Sequence, residues 1–273
     1  MHKVESNGAE IPAIGLGTWD IRGAQCVEIV SEGLRLGYRH IDTAQGYDNE
    51  REVGEGLRAS GVARDDIFLT TKVWHDKLNA GALEKSAEES IARLGVDHVD
   101  LLLVHWPNPD VPVKETMEAM ARVKRDGLTR HIGVSNFPIA LIDEAVAVSP
   151  EPIVTNQVEY HPYLDQTKIV DACRRHGISI TAYCPIARAK VIGDPVVEDI
   201  AARHSRNPVQ VALRWLIQQP GVIAIPRTSS KTRLAENLDI DGFNLTDAEM
   251  AAIADLARPD GRIVNVAWAP KWD

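Results

Sequence analysis

Residues 38–57, YRHIDTAQGYDNEREVGEGL, decide how this chain is read. Tyr38-Arg39-His40-Ile41 reads as a short buried strand, with Asp42 at its C-terminal end. A loop carrying Tyr47 follows, and Asn49-Glu50 opens an amphipathic helix. TTKVW (70–74) and LLVHWP (102–107) repeat the arrangement, each an apolar run that closes near a polar residue, Lys72 in the first and His105 in the second. If such strands lie parallel, their C-terminal ends converge, and an acid, a phenol, an amine and an imidazole meet in one pocket.

A chain of 273 residues suits a single α/β barrel, which typically takes ~250 residues, so one domain over 1–273 is expected. Its 44% hydrophobic and 25% charged residues are enough for a large core under a solvated surface. Lys and Arg number 30 against 39 Asp and Glu, a net charge of −9, which repels nucleic acid and anionic membranes and leaves an anionic ligand to find a local basic patch. Cys26, Cys173 and Cys184 are odd in number and widely spaced, which argues against a disulfide framework and a Cys-Cys metal site; no metal is expected. The opening MHKVESNGAEIPAIGLGTW has no apolar run suited to export or membrane insertion, so a reducing cytoplasm is the expected location.

Short apolar runs alternate with longer amphipathic stretches, without a low-complexity linker. A hairpin around Val4 and Ile11 turns at Asn7-Gly8, ahead of a first barrel strand near 14–18. Further strands are expected at 38–42, 67–73, 99–105, 131–135, 153–158, 178–184 and 222–226. Helices such as 79–94, 112–126, 165–176 and 208–218 fall between them, with apolar positions at three- and four-residue spacing. Alternation on this scale implies a single (β/α)8 TIM barrel with an N-terminal β-hairpin and its active-site loops on one face.

Three motifs, GYRHIDTAQGYDNEREVGEGL (37–57), DHVDLLLVHWP (97–107) and IPRTSSKTRLAEN (225–237), carry a resemblance that runs nearly end to end. The chain resembles the aldo-keto reductase family and, within it, the bacterial 2,5-diketo-D-gluconate reductases. That resemblance implies NADPH-dependent reduction of small aldehydes and ketones, with keto sugars such as 2,5-diketo-D-gluconate, methylglyoxal and aromatic aldehydes as plausible substrates, by a protein that is a monomer.

Carbonyl reduction needs a hydride at carbon and a proton at oxygen, so the site requires an acid beside that oxygen. Tyr47 is the candidate. A free phenol has a pKa of about 10 and needs a neighbouring cation to exchange protons near neutrality. Lys72 can supply the charge, Asp42 can hold the ammonium, and His105 can orient the carbonyl oxygen; the resemblance assigns the same four positions as a catalytic tetrad. Each has an ordinary reading when taken alone: Asp42 a cap, Tyr47 a surface aromatic, Lys72 a snorkelling strand-end lysine, His105 a satisfied core histidine. Their coincidence at strand ends inside matched motifs favours chemistry.

Gly15-Leu16-Gly17-Thr18-Trp19 lacks the third glycine of a dinucleotide fingerprint, so the cofactor must be held otherwise. In 225–237, Arg227 and Arg233 offer guanidinium forks for a ribose 2′-phosphate, with Thr228 and Ser229 adding donors beside Pro226. A solvated basic helix start is the plain alternative. Relatives commonly carry Lys where Arg227 stands. The resemblance implies Ser135, Asn136 and Gln157 on the nicotinamide carboxamide, Tyr183 stacked on the ring, Glu236 and Asn237 at the adenine, and Thr18, Trp19 and Asp42 along the same cleft. It also implies a pyrophosphate loop through Pro185, Ile186 and Ala187, but the glycine usual there is absent: the chain reads CPIARAK (184–190).

Trp19, Trp74, Trp106 and Trp268, with Tyr47, His105 and Phe137, are the candidate substrate-facing groups, and the tryptophans offer broad apolar surfaces each bearing one N–H. The tail beyond Pro259 is short beside those of longer relatives and suggests an open pocket of broad selectivity; Asn108 is a further candidate for hydroxylated substrates. Two rival functions are a Schiff-base lyase built on Lys72 and a nonenzymatic redox-sensing barrel. Borohydride trapping without nucleotide would reveal the first, and turnover of a simple aldehyde would exclude the second.

Overall fold

The computed structural model describes residues 2–273. After a hairpin of β1 (Lys3–Ser6) and β2 (Ala9–Pro12), eight parallel strands follow in sequence order: β3 (Leu16–Gly17), β4 (His40–Asp42), β5 (Phe68–Val73), β6 (Val99–Val104), β7 (Thr129–Ser135), β8 (Ile153–Glu159), β9 (Ser179–Tyr183) and β10 (Val222–Ala224). Parallel bridges between Ile14 and Ala224 and between Gly17 and Arg227 join the two edges of this sheet into a barrel. Gly15 N donates to Ala224 O at 2.8 Å and Gly17 N to Pro226 O at 3.0 Å.

Both seam glycines are needed for closeness. A Cβ on Gly15 would stand 2.7 Å from His40 Nδ1, and one on Gly17 would stand 2.9 Å from Ile225 O. The glycine pair that fails as a dinucleotide fingerprint thus serves barrel closure.

Helices α1 (Gly23–Leu36), α2 (Glu50–Ser60), α3 (Ala82–Leu94), α4 (Val113–Arg125), α5 (Ile139–Val148) and α6 (Thr167–Arg175) each follow one strand. α7 (Pro195–His204) and α8 (Pro208–Ile217) come after β9, and α9 (Lys231–Leu238) and α10 (Asp247–Ala254) after β10. The predominantly apolar β6, VDLLLV, is buried at all six positions, as expected of a strand covered on both faces. Its one charge, Asp100, is paired with Arg64 at 2.8 Å.

The hairpin turns at Asn7 (φ 44°) and Gly8 (φ 87°), residue types that accept the left-handed region. Asn7 Nδ2 donates to Ile153 O at 2.7 Å and His176 O at 3.1 Å, and Ser6 Oγ donates to Val154 O and Gly177 O. The hairpin therefore covers the end of the barrel where β8 and β9 begin. The opposite end, where the strands finish, carries the candidate site.

The expected strand 38–42 starts only at His40, because Tyr38 belongs to the exit from α1. Gly37 caps that helix at φ 116°, and Tyr38 Oη donates to Leu234 O on α9 at 3.1 Å. No helix of the described residues is long and apolar enough to cross a membrane.

Candidate active site

Asp42 ends β4, Lys72 stands near the end of β5, and His105 follows β6 with its N–H on Val73 O at 3.0 Å. Tyr47 closes a short 3-10 turn, Gln45–Tyr47, in the loop after β4. Lys72 Nζ donates to Asp42 Oδ1 at 2.5 Å, to Thr43 O at 2.8 Å and to Tyr47 Oη at 3.3 Å. The Lys72 side chain is 0% exposed and that of Asp42 1%, so the ion pair is fully desolvated and depends on these oxygens to remain charged. The Tyr47 and His105 rings meet edge to face, centroids 5.6 Å apart. Oxygens of Asp42, Thr43 and Tyr47 thus surround Lys72 Nζ on three sides.

Neighbours lock the acid-bearing loop. Asn49 Nδ2 donates to Thr18 O at 2.8 Å and Ile21 O at 2.9 Å, while its Oδ1 accepts from Thr43 Oγ1 at 2.8 Å. Gln45 Oε1 accepts from Trp74 N at 3.1 Å and Ser86 Oγ at 2.9 Å, tying the Tyr47 turn to the loop after β5.

The electrostatics differ from the sequence expectation at one point. Lys72 was expected to acidify the phenol, yet burial first, then the Asp42 carboxylate and Cys184, push Tyr47 well above the ordinary phenol range. Asp42 offsets the ammonium it holds. The phenol is therefore protonated at neutral pH, the form a proton donor needs. Burial, opposed by Asp42, lowers Lys72, and burial with the Lys72 and His75 charges drives His105 well below the usual histidine range. His105 is thus a neutral imidazole, and its buried Nδ1 has no hydrogen-bond partner among the described residues.

A polar ladder lines the neighbouring strand ends. Ser135 Oγ donates to Gln157 O at 2.8 Å, Asn136 Nδ2 to His105 O at 3.0 Å, Tyr183 Oη to Asn136 Oδ1 at 2.8 Å and Gln157 Nε2 to Asp42 Oδ2 at 2.7 Å. The residues expected at the nicotinamide are thus contiguous with the tetrad, and Gln157 touches it directly. A planar amide-bearing ring beside Tyr183 fits this donor and acceptor set.

The aldo/keto reductase family profile matches residues 13–258. The chain belongs to the aldo-keto reductase family. It is 42% identical over 266 residues to the methylglyoxal reductase DkgB of Salmonella typhi, covering 96% of this chain and 99% of that one. A crystal structure of a candidate 2,5-diketo-D-gluconic acid reductase B superposes with a TM-score of 0.98 at 52% identity, covering 100% of this chain and 98% of that one. The Bombyx mori aldo-keto reductase solved in complex with NADP superposes with a TM-score of 0.90 at 33% identity, over 97% and 95% of the two chains. The family is NADP(H)-dependent, and this aldo-keto reductase is an oxidoreductase of small carbonyl compounds.

In this aldo-keto reductase the expected phosphate region lies along the barrel seam. Arg233 is exposed on the first turns of α9 and makes no ion pair among the described residues. Ser230 caps that helix by accepting from Arg233 N, and Thr228 Oγ1 accepts from Ser230 N at 3.1 Å. Arg227 has a different engagement: its Nε donates to Trp19 O at 3.1 Å and its Nη2 to Asp20 O at 2.8 Å, fastening the loop after β3. Glu236 is half-buried and Asn237 buried, while Pro226 lies in the seam itself. Thr18 is buried with its hydroxyl on Asp42 O at 3.0 Å. In the loop after β9, Pro185 and Ala187 are buried and Ile186 half-buried, and Arg188 crosses to lie 5.8 Å from the Trp19 ring.

Trp19 and Trp268 are 52% and 45% exposed, two of the few large apolar groups in water, and both flank the mouth. Trp268 stacks on His75 at 5.5 Å and meets Trp74 at 6.1 Å, so the tail forms one wall of the site despite its shortness. Trp106 is buried, with Trp272 packed edge-on at 6.1 Å, rather than open to solvent, and Phe137 is also buried. Asn108 spends its amide on the loop itself, donating to His75 O at 2.9 Å and accepting from Asp110 N at 3.0 Å. A cavity of about 300 Å³ between the 107–113 loop and the tail shares Trp268 with this wall but contains none of the tetrad.

Sequence reading missed Gln45, Asn49, Glu159, Arg262 and Trp272 as parts of the site. Gln45 and Asn49 stand inside the quoted motif, where spacing alone does not distinguish a clamp from a cap. The tail residues have no periodicity to read.

Proposed function

We propose that this aldo-keto reductase uses NADPH to reduce small aldehydes and ketones to alcohols, with Tyr47 as proton donor. The 3.3 Å contact between Tyr47 Oη and the buried Lys72–Asp42 pair carries this reading. Bound NADPH supplies the hydride. Tyr47 then gives its proton to the carbonyl oxygen, and Lys72, at hydrogen-bond distance, stabilises the phenolate left behind. Neutral His105 offers an N–H to the carbonyl oxygen and orients it. Ser135, Asn136, Gln157 and Tyr183 hold the nicotinamide end, and Arg233, aided by Ser229, holds the 2′-phosphate.

Keto sugars such as 2,5-diketo-D-gluconate, methylglyoxal and aromatic aldehydes are the proposed substrates, the first two supported by the names of relatives that share nearly the whole chain. The test is NADPH oxidation across a panel of these carbonyls, with Tyr47→Phe as control. General acid catalysis is worth ~10²–10⁴-fold, so Tyr47→Phe should lose at least that much kcat while binding NADPH as before. A variant that keeps more than about a tenth of wild-type kcat would remove Tyr47 from the role.

A further inference from the structure

Beyond α10 the described residues form no helix or strand, so the tail is placed by contacts with the barrel rather than by structure of its own. Its first anchor is Arg258 N, which donates to Tyr163 O at 3.1 Å, and Gly261 passes so close that a Cβ there would stand 1.7 Å from the same oxygen. The second is the fully buried Glu159 carboxylate at the end of β8: Oε1 accepts from Ile263 N at 2.6 Å and Oε2 from Val264 N at 2.7 Å. Oε1 also accepts from His161 Nε2 at 2.9 Å, and Tyr163 N donates to His161 Nδ1 at 3.3 Å, which leaves Nε2 as the donor of that ring.

Side chains alternate along a strand, so Glu159 lies on the same face of β8 as Gln157, whose amide reaches Asp42. The strand that touches the tetrad therefore also holds the tail. Farther on, the tail meets the barrel through rings and one exposed hydrogen bond. Trp268 lies against His75 and Trp74, and Trp272 against Trp106, with the Arg262 guanidinium carbon 3.8 Å from the Trp272 ring centre. Ile139 N donates to Asp273 Oδ2 at 2.9 Å. Releasing residues 263 and 264 would leave a buried carboxylate short of two donors, which favours the clamped tail.

A chain extends at most ~3.5 Å per residue, so Trp268 can range ~14 Å from a backbone fixed at Val264 but ~35 Å from one fixed only at Arg258. Resting on the reductase reading above, we infer that Glu159 is a positioning residue for substrate selectivity: its carboxylate holds the tail across the barrel mouth, so that Trp268 stands as a fixed wall for the aromatic part of a carbonyl substrate. A wall fixed before the substrate arrives spares binding the cost of ordering it. A small carbonyl compound that does not reach Trp268 gains little from the clamp.

The experiment measures kcat and KM, with NADPH, for 2-naphthaldehyde and methylglyoxal in wild type, Glu159→Gln, Trp268→Ala and the double variant. Glutamine keeps the side-chain length but replaces one acceptor oxygen by a donor. Glu159→Gln should lower the ratio of kcat/KM for 2-naphthaldehyde to that for methylglyoxal about tenfold, chiefly through the KM of the aromatic aldehyde. Trp268→Ala should lower the same ratio, and the double variant should be no worse than Trp268→Ala alone, because both act through one wall. Trypsin reads the tail directly: cleavage after Arg262 should be about tenfold faster in Glu159→Gln than in wild type, with sites in the barrel cut at the wild-type rate. Val264→Pro, which removes one amide from the tail and leaves the barrel untouched, should show both changes and serves in place of Glu159→Gln if that variant does not fold. A ratio unchanged in folded Glu159→Gln or in Val264→Pro, losses that multiply in the double variant, or cleavage that rises equally along the whole chain would each overturn the inference. NADPH oxidation with both aldehydes would leave the reductase reading standing in those cases, whereas no NADPH oxidation with either would overturn both.

Discussion

His40 shows how much this barrel depends on keeping single groups neutral. It sits inside the barrel at the start of β4, 1% exposed, with Nε2 3.2 Å from Thr70 Oγ1. Burial lowers its pKa from 6.5 to about 4, against the opposing pull of Asp42. The unfolded chain therefore binds more protons than the fold between those values. The contribution is complete above pH 6.5 and is lost as pH falls toward 4. At pH 5 the loss is about 2 kcal/mol. His40→Gln, which cannot titrate, should show a drop in unfolding free energy between pH 7 and pH 5 that is smaller by roughly that amount. Equal drops in both proteins, measured by denaturant titration, would place the acid sensitivity elsewhere. The same physics acts at Tyr47 and His105, where desolvation preserves the protonated phenol and the neutral imidazole.

At the scale of elements, the loop after β9 departs most from the pattern that the family resemblance implies. Where glycine is usual, Ala187, Arg188 and Ala189 hold φ of 49°, 54° and 70°, and Cys184 holds 50°. Three successive side-chain-bearing residues in the left-handed region cost about 1 kcal/mol or more each, because Cβ crowds the following carbonyl. The loop is retained in this shape by its contacts: Ala187 N bonds Cys184 O at 2.8 Å, Lys190 N bonds Ala187 O at 3.2 Å, and Arg188 reaches the Trp19 ring. Ala189 is exposed, so replacing it by glycine relieves strain without opening a cavity. Ala189→Gly should stabilise the protein by about 0.5–1 kcal/mol, the relief of strain exceeding the extra entropy of an unfolded glycine. Calorimetry should show a Tm higher by about 2 °C; an unchanged or lower Tm would mean that the left-handed conformation carries no such cost.

Across the whole molecule, what could be read in advance follows from which interactions are local. The barrel was legible because eight apolar runs alternate with helical periodicity, and the tetrad because Asp42, Lys72 and His105 each stand at a strand end. Gly15 and Gly17, Gln157 on Asp42, and the tail clamp at Glu159 were not, since each joins residues far apart in the chain through a contact that no local pattern encodes. The cofactor cleft shows the same division. Arg227 and Arg233 look equivalent in sequence, yet Arg227 spends its donors on Trp19 O and Asp20 O while Arg233 is exposed and makes no ion pair among the described residues. The protein as a whole carries a net charge of −9, so a nucleotide phosphate is repelled except near such an uncommitted cation. Preference for NADPH over NADH should therefore reside mainly in Arg233. A charge-assisted guanidinium–phosphate contact supports a preference of at least about tenfold, since ~1.4 kcal/mol is one decade. Arg233→Ala should raise the Kd for NADPH by about that factor and leave the Kd for NADH little changed. Arg227→Ala should weaken both nucleotides alike, because it frees the loop that carries Trp19 rather than removing a phosphate contact. Fluorescence titration with both nucleotides decides the matter: equal weakening of both by Arg233→Ala would move the 2′-phosphate away from α9, and loss of NADPH preference on removing Arg227 alone would reassign it to the barrel seam.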